Sequence, residues 1–250
     1  GFAVTVATTA LWISEAQMLA ETERIVGKDI DFLPLKSYAN IHEGNALATP
    51  WESVIEPSRL SYIIGNPPFI GARMMEPAQK QDMIATFGPK WHNVGNIDYV
   101  GAWYKRAADY MRGTNVEAAL VSTNSITQGE QVADLWQPLM RDGLTINFAH
   151  HTFRWDSEAS LKAHVHCVIV GFSYCPARHK YLFSGELKRE VRHINAYLIE
   201  GDDVFVGVRP KSIADAAESG NIFTHGMEHR NLSTKSRATA FGLATAPLPR

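Results

Sequence analysis

Residues 61–71 read SYIIGNPPFIG, and the two consecutive prolines directly after an apolar run restrict the local fold more than any other stretch of this 250-residue chain. Leu60 to Ile64 is short, apolar and rich in β-branched residues, which predicts a strand buried on both faces. Gly65 and Asn66 end it. Pro67 and Pro68 lack an N–H and hold φ near one value, so the chain leaves the sheet in a stiff turn whose carbonyls have no ladder partners. Those acceptors need a donor from elsewhere.

The rest of the chain gives this strand its setting. Residues 1–26 carry Val6, Ala10, Ile13, Gln17 and Met18 near helical spacing and stop before Gly27, which predicts a helix with one apolar face. Ser37 to Ile41 reads as a strand running into HEGNAL. Asn96 is placed to cap a helix through Ile97, Val100, Tyr104, Ala107 and Met111, ended by Gly113. EAALVSTNSI reads as a strand. Thr127 and Glu130 have the spacing of a capping box, opening a helix through Val132, Leu135, Trp136 and Leu139 to Gly143. LTINFAHHTF and HVHCVIVGFSY read as two further strands joined by a short link. Strands alternating with helices predict an α/β fold, a Rossmann-like, doubly wound and mostly parallel sheet, with an antiparallel hairpin at one edge. From Pro176 the periodicity loosens, and beyond Arg209 it is lost.

Composition narrows the setting. At 45% hydrophobic and 20% charged residues the chain is an ordinary globular one, long enough for one sizeable core. A net charge of −2 gives no overall attraction for nucleic acid, so any such binding needs a local patch or other regions. Two cysteines, Cys167 and Cys175, are too few for a disulfide framework. No signal peptide or membrane-length apolar run is present, so the expected setting is cytoplasmic, without membrane contact.

In an open parallel sheet, ligands bind outside the carboxyl ends of the strands, where Asn66-Pro67-Pro68-Phe69 falls. A ring-conjugated amine such as adenine N6 is a poor nucleophile because its lone pair is delocalised. The Asn66 side-chain carbonyl and the Pro67 carbonyl can each accept one of its N–H bonds and favour the tetrahedral nitrogen, while Phe69 offers a stacking face. The competing reading is a strand-ending turn with a packed aromatic. Here the sequence resembles a family: G-N-P-P-F after an apolar strand is the catalytic motif of amino-group methyltransferases that use S-adenosylmethionine. GNALATPW, DYVGAWYKRAADYM, ALVSTNSITQGEQV, HTFRWDSEA and AHVHCVIVGF are, in that order, similar to the methyltransferase region of MmeI-like (Type IIL) restriction-modification enzymes, which methylate adenine N6 in DNA.

That resemblance implies a class I methyltransferase domain using S-adenosylmethionine, with double-stranded DNA as partner through regions partly outside this sequence. It implies that Asn66, Pro67 and Phe69 hold the target base, with Pro68 completing the motif. It also implies that Asn45, in GNAL, contacts the cofactor adenine, against the alternative of a plain turn asparagine. Phe153 and Trp155 fall in the loop that sets an aromatic against the flipped base, or they close the end of the hairpin. The family's glycine-rich loop, its ribose-binding acid and the sheet's first strand are not found in this sequence. Residues 1–180 are therefore expected to be part of a methyltransferase domain, and 181–250 an extension leading toward a missing recognition domain, in a fragment or truncated product. Alternatives are a methyltransferase acting on RNA or a protein glutamine, and a non-catalytic remnant. His164, His166, Cys167, Cys175 and His179 invite a metal reading, but 166 and 167 point to opposite strand faces and no metal is expected. Lys188, Arg189, Arg192 and His193 form a basic cluster, a solvated surface or a phosphate contact.

Overall fold

The computed structural model describes residues 1–27, 41–155 and 165–207. In chain order these form α1 (Phe2–Val26), β1 (Tyr62–Gly65), α2 (Pro77–Phe87), α3 (Gly101–Tyr110) and β2 (Glu117–Thr123), then a helix α4 over 129–141, β3 (Thr145–Trp155), β4 (Val165–Ser173), β5 (Lys180–Ser184) and β6 (Leu187–Val191). Most of the expected strand over Ser37–Ile41 and everything beyond 207 lie outside the described residues. No described helix is long and apolar enough to cross a membrane.

The six strands make one mixed sheet in the order β1-β2-β4-β3-β5-β6. One cross-strand row fixes the register: Ile64 opposite Ala119, Ala119 opposite Gly171, Gly171 opposite Phe148, and Phe148 opposite Tyr181. β1–β2 and β3–β5 are parallel, and the other neighbours antiparallel. This is the expected α/β, Rossmann-like class, with two departures: three of the five pairings among the described strands are antiparallel, so the sheet is mixed rather than mostly parallel. The β3–β4 hairpin also lies inside the order rather than at an edge, because β5 and β6 extend the sheet beyond β3. Their turn is Gly185–Glu186, with Gly185 at φ 59°. β6 escapes an apolar pattern because its first four residues are exposed and three of them are charged.

The two sheet faces differ. Ala118, Leu120, Val168, Val170, Phe172 and Leu182 are buried on the face that the helices cover. On the opposite face Ala119, Val121, Ile169, Phe148 and Tyr181 are only half-buried. β1 is consequently not buried on both sides as its composition predicts: Tyr62 is 64% and Ile64 83% exposed. Among the described residues it is an edge strand paired with β2 alone, and none of them covers its outer face.

Helix boundaries also depart from the sequence signals. The face of α1 chosen by spacing, Val6, Ala10, Ile13, Gln17 and Met18, is exposed; the half-buried stripe runs through Val4, Thr8, Trp12, Ala16, Leu19 and Glu23. Apolar residues surround this helix, so a three-to-four-residue step finds more than one stripe. Ile97, Val100, Tyr104, Ala107 and Met111 are all fully buried, yet α3 starts only at Gly101 and Asn96 does not cap it. The Asn96 amide instead donates to Glu130 at 3.2 Å and Asp134 at 3.4 Å. Thr127 does not form its capping box either: its hydroxyl donates to the Asn124 carbonyl inside a tight turn. α4 then runs as α-helical Gly129–Gln131, a π-helical turn Val132–Trp136, and α-helical Gln137–Arg141.

Two outcomes test this packing. A Cβ on Gly101 would lie 2.3 Å from Cγ2 of fully buried Ile97. Gly101→Ala gains about 1 kcal/mol of helix propensity but incurs roughly 1–3 kcal/mol of overpacking, so chemical denaturation should show a net loss. Lys180 is 7% exposed and donates to Thr145 Oγ1 at 2.5 Å; burial lowers its pKa, against the pull of Asp203. Between that lowered value and the ordinary lysine value the unfolded chain binds more protons, so stability rises with pH across that window. Lys180→Met should flatten the rise in a comparison of denaturation midpoints.

Candidate functional site at the carboxyl margin of the sheet

β1, β2 and β3 run in one direction, so Asn66, Asn124 and the end of β3 share one margin. At the exit of β1, Asn66 and Pro68 are exposed, Pro67 is buried and Phe69 half-buried. Among the described residues neither the Asn66 side chain nor the Pro67 carbonyl has a hydrogen-bond partner. The turn beyond them is firmly held. The Tyr99 N–H donates to the Ile70 carbonyl at 2.9 Å, and the Ala72 N–H to Asp98 Oδ1 at 2.8 Å. The other Asp98 oxygen accepts the Ser125 hydroxyl, and the Asp98 N–H donates to Gln131 Oε1 at 2.9 Å. Sequence reasoning passed over Asp98; its signal is a lone carboxylate in the buried run Ile97–Val100.

Asn45 stands in a turn before β1. Its amide donates to Asp82 Oδ2 at 2.9 Å and its side-chain oxygen accepts the Leu47 N–H at 3.0 Å, so the side chain builds an Asx turn. Asp82 also accepts the Tyr99 hydroxyl at 2.7 Å. The N–H groups of Asn45 and Ala46, by contrast, have no acceptor among the described residues. Donors of that kind fit the nitrogen edge of an adenine ring.

Phe153 is half-buried on β3, opposite Cys167 on β4, which in turn faces Thr123 at the end of β2. Trp155 is the last residue of β3, its backbone opposite Val165. The rest of the HTFRWDSEA loop lies outside the described residues. A bulge between His150 and Phe153 re-aims the strand, and the His151 Nε2–H donates to the Leu198 carbonyl at 2.7 Å. Beside it an open cleft of about 420 Å³ is lined by Thr127, Gln128, His151, Thr152, Tyr197 and Leu198; the last two fall outside the quoted sequence blocks.

His166 is exposed and Cys167 buried on opposite faces of β4; His164 lies outside the described residues. Burial raises the Cys167 thiol pKa, so it is held as a thiol. Much of the basic cluster is already engaged: Lys188 Nζ lies 3.8 Å from the Tyr181 ring, Arg189 meets Glu200 at 3.2 Å and His193 meets Asp203 at 2.8 Å.

A mixed six-stranded sheet with helices packed on it is consistent with a fold of the class I methyltransferase type. Residues 1–184 match the family described as the MmeI DNA-methyltransferase domain, and the chain belongs to that family. It is 40% identical over 218 residues to DNA methyltransferase A of Bacillus subtilis (strain 168), across 86% of this chain and 25% of that protein. It is also similar, with a TM-score of 0.75 and 41% identity, to the Type IIL restriction-modification enzyme MmeI solved in complex with DNA, across 83% of this chain and 28% of that one. The chain spans about a quarter of the length of these relatives.

Burial, then the hydrogen bond and charge of Asp82, raise the Tyr99 pKa; burial raises that of Tyr104. Above the ordinary tyrosine value the folded state keeps protons that the unfolded state loses, so both tyrosines oppose unfolding less as pH rises. Alkaline titration followed by tyrosinate absorbance should show a late, unfolding-linked component, smaller in Tyr99→Phe.

Proposed function

We propose that this region transfers a methyl group from S-adenosylmethionine to N6 of an adenine flipped out of double-stranded DNA, as part of a restriction-modification enzyme. One observation carries the reading: a buried proline holds a carbonyl at the exit of β1, and that carbonyl and the neighbouring asparagine find no donor among the described residues, at the margin where such sheets bind ligands. Family membership is consistent with it.

The cofactor, when bound, supplies an electrophilic methyl on a sulfonium. The chain supplies the acceptor side. Asn66 Oδ1 and the Pro67 carbonyl oxygen take the two N6–H bonds of the base, drawing the nitrogen toward tetrahedral geometry so that its lone pair leaves the ring and points at the methyl carbon. With the cofactor bound, the amine would gain the methyl group as the sulfonium became a neutral thioether, and the surplus N6 proton, held between the Asn66 and Pro67 oxygens, would pass to solvent. Since positive charge grows on nitrogen during attack, both acceptors bind more tightly in the transition state than in the ground state. Phe69 offers the stacking face, with Phe153 and Trp155 on the β3 side of the same margin. The Asn45 turn presents N–H groups toward the cofactor adenine.

The test places this region in DNA methyltransferase A in exchange for the matching segment. Asn66→Ala should abolish single-turnover methylation of duplex DNA while cofactor and DNA affinity stay within roughly threefold. Phe69→Ala should weaken base capture by about 1–3 kcal/mol, with the defect shrinking when the target adenine is mispaired. Near-normal turnover in Asn66→Ala would leave the turn merely structural.

A further inference from the structure

Two turns form the site as read above, and they come from different parts of the chain: the Asn45 turn precedes β1 and the Asn66–Phe69 turn follows it. Methyl transfer needs donor carbon and acceptor nitrogen at about 3–3.5 Å, and a misplacement near 1 Å costs roughly a hundredfold, so the spacing of these turns matters. The covalent path between them, residues 46–65, is mostly short 3₁₀ turns and exposed chain. The non-covalent path is shorter. Asp98 holds the Ala72 N–H and the Ser125 hydroxyl; the Tyr99 backbone holds Ile70; the Tyr99 hydroxyl holds Asp82, and Asp82 holds Asn45.

We propose that Asp98 and Tyr99 are positioning residues, one rigid dipeptide that keeps the base-side turn and the cofactor-side turn at a fixed separation; this rests on the proposed reading of those turns. Its rigidity is built in. Both side chains are buried, at 7% and 5% exposure. The Gly101 and Ala102 N–H groups donate to the Asp98 and Tyr99 carbonyls at 2.8 and 3.1 Å, tying the pair to α3. The Tyr99 ring meets Trp103 edge-on at 5.1 Å. Asp98 forms no salt bridge among the described residues; neutral N–H and O–H donors satisfy it, so what it supplies is direction rather than charge pairing. Tyr99 contributes to both turns at once, through its N–H on one side and its hydroxyl on the other.

The experiment follows amide hydrogen exchange of the full chain by mass spectrometry, with methyl transfer to duplex DNA measured alongside. Asp98→Ala should raise exchange over 69–74 roughly tenfold with the interior of β2 and α3 unchanged, and Tyr99→Phe should raise it over 45–49 while leaving 69–74 alone. Asp98→Asn, which keeps an acceptor for Ala72, should restore protection to within about threefold of wild type. In a chain that methylates, both Asp98→Ala and Tyr99→Phe should lower kcat by roughly tenfold or more with KM for DNA little changed, as misplacement predicts. Unaltered local exchange in Asp98→Ala and Tyr99→Phe, exchange in Asp98→Asn as high as in Asp98→Ala, or exchange rising everywhere at once, overturns the proposal. A wild-type chain without methyl transfer but with the local exchange pattern removes the functional reading and leaves the dipeptide as the clamp between two turns.

Discussion

Three aromatic rings join the helices to the sheet. Tyr104 of α3 stacks on Phe172 of β4 at 5.1 Å, Trp136 of α4 meets Tyr104 edge-on at 5.2 Å, and all three are buried to within a percent. Each such pair adds about 0.5–1.5 kcal/mol beyond its buried area. Their polar tips are satisfied as well: Tyr104 Oη lies 2.6 Å from Ser122 Oγ, and Trp136 Nε1–H donates to the Ile126 carbonyl at 2.9 Å. The cluster therefore fixes both the distance and the rotation of α3 and α4 on β2 and β4. Everything at the margin hangs from these helices, since Asp98 and Tyr99 lead into α3 and Gln131 belongs to α4.

Against that satisfied interior the exit of β1 stands out. Within a few residues the chain passes from ladder-bonded Gly65, through two acceptors that no described group meets, to Ile70 and Ala72, which are bonded again. The local exception is confined to the residues proposed to receive an amine, and the bonds on both sides keep it from relaxing.

The proposed chemistry is legible in the sequence because N-P-P-F writes its geometry into four adjacent residues. The strands β1 to β4 were readable for a similar reason, since apolar runs bounded by glycine and polar turns have few other uses. What stayed hidden depends on contacts between distant segments. Asp98 gains its meaning only when Ala72 and Ser125 are brought to it. β6 is charged at four consecutive positions but one, so only its pairing with β5 reveals it. Asn96 and Thr127 carry good capping side chains, yet a tertiary partner, Asp134, claims the first and the carbonyl of nearby Asn124 claims the second. β1 reads as a doubly buried strand because its composition suits one, while the described residues cover only one of its faces.

The π-helical turn Val132–Trp136 spends one residue more than an α-helix would over the same rise. With it, neighbouring Leu135 and Trp136 both sit fully in the core, while Gln131 reaches Asp98 and Asp134 reaches Asn93 at 2.9 Å. Removing one residue there would restore a regular helix, but every side chain before the gap would rotate about 100° relative to Trp136, carrying Gln131 off Asp98. The helix is thus a spacer graduated in single residues. A one-residue change of length, harmless in most surface loops, would here be transmitted through Asp98 to the turn after β1.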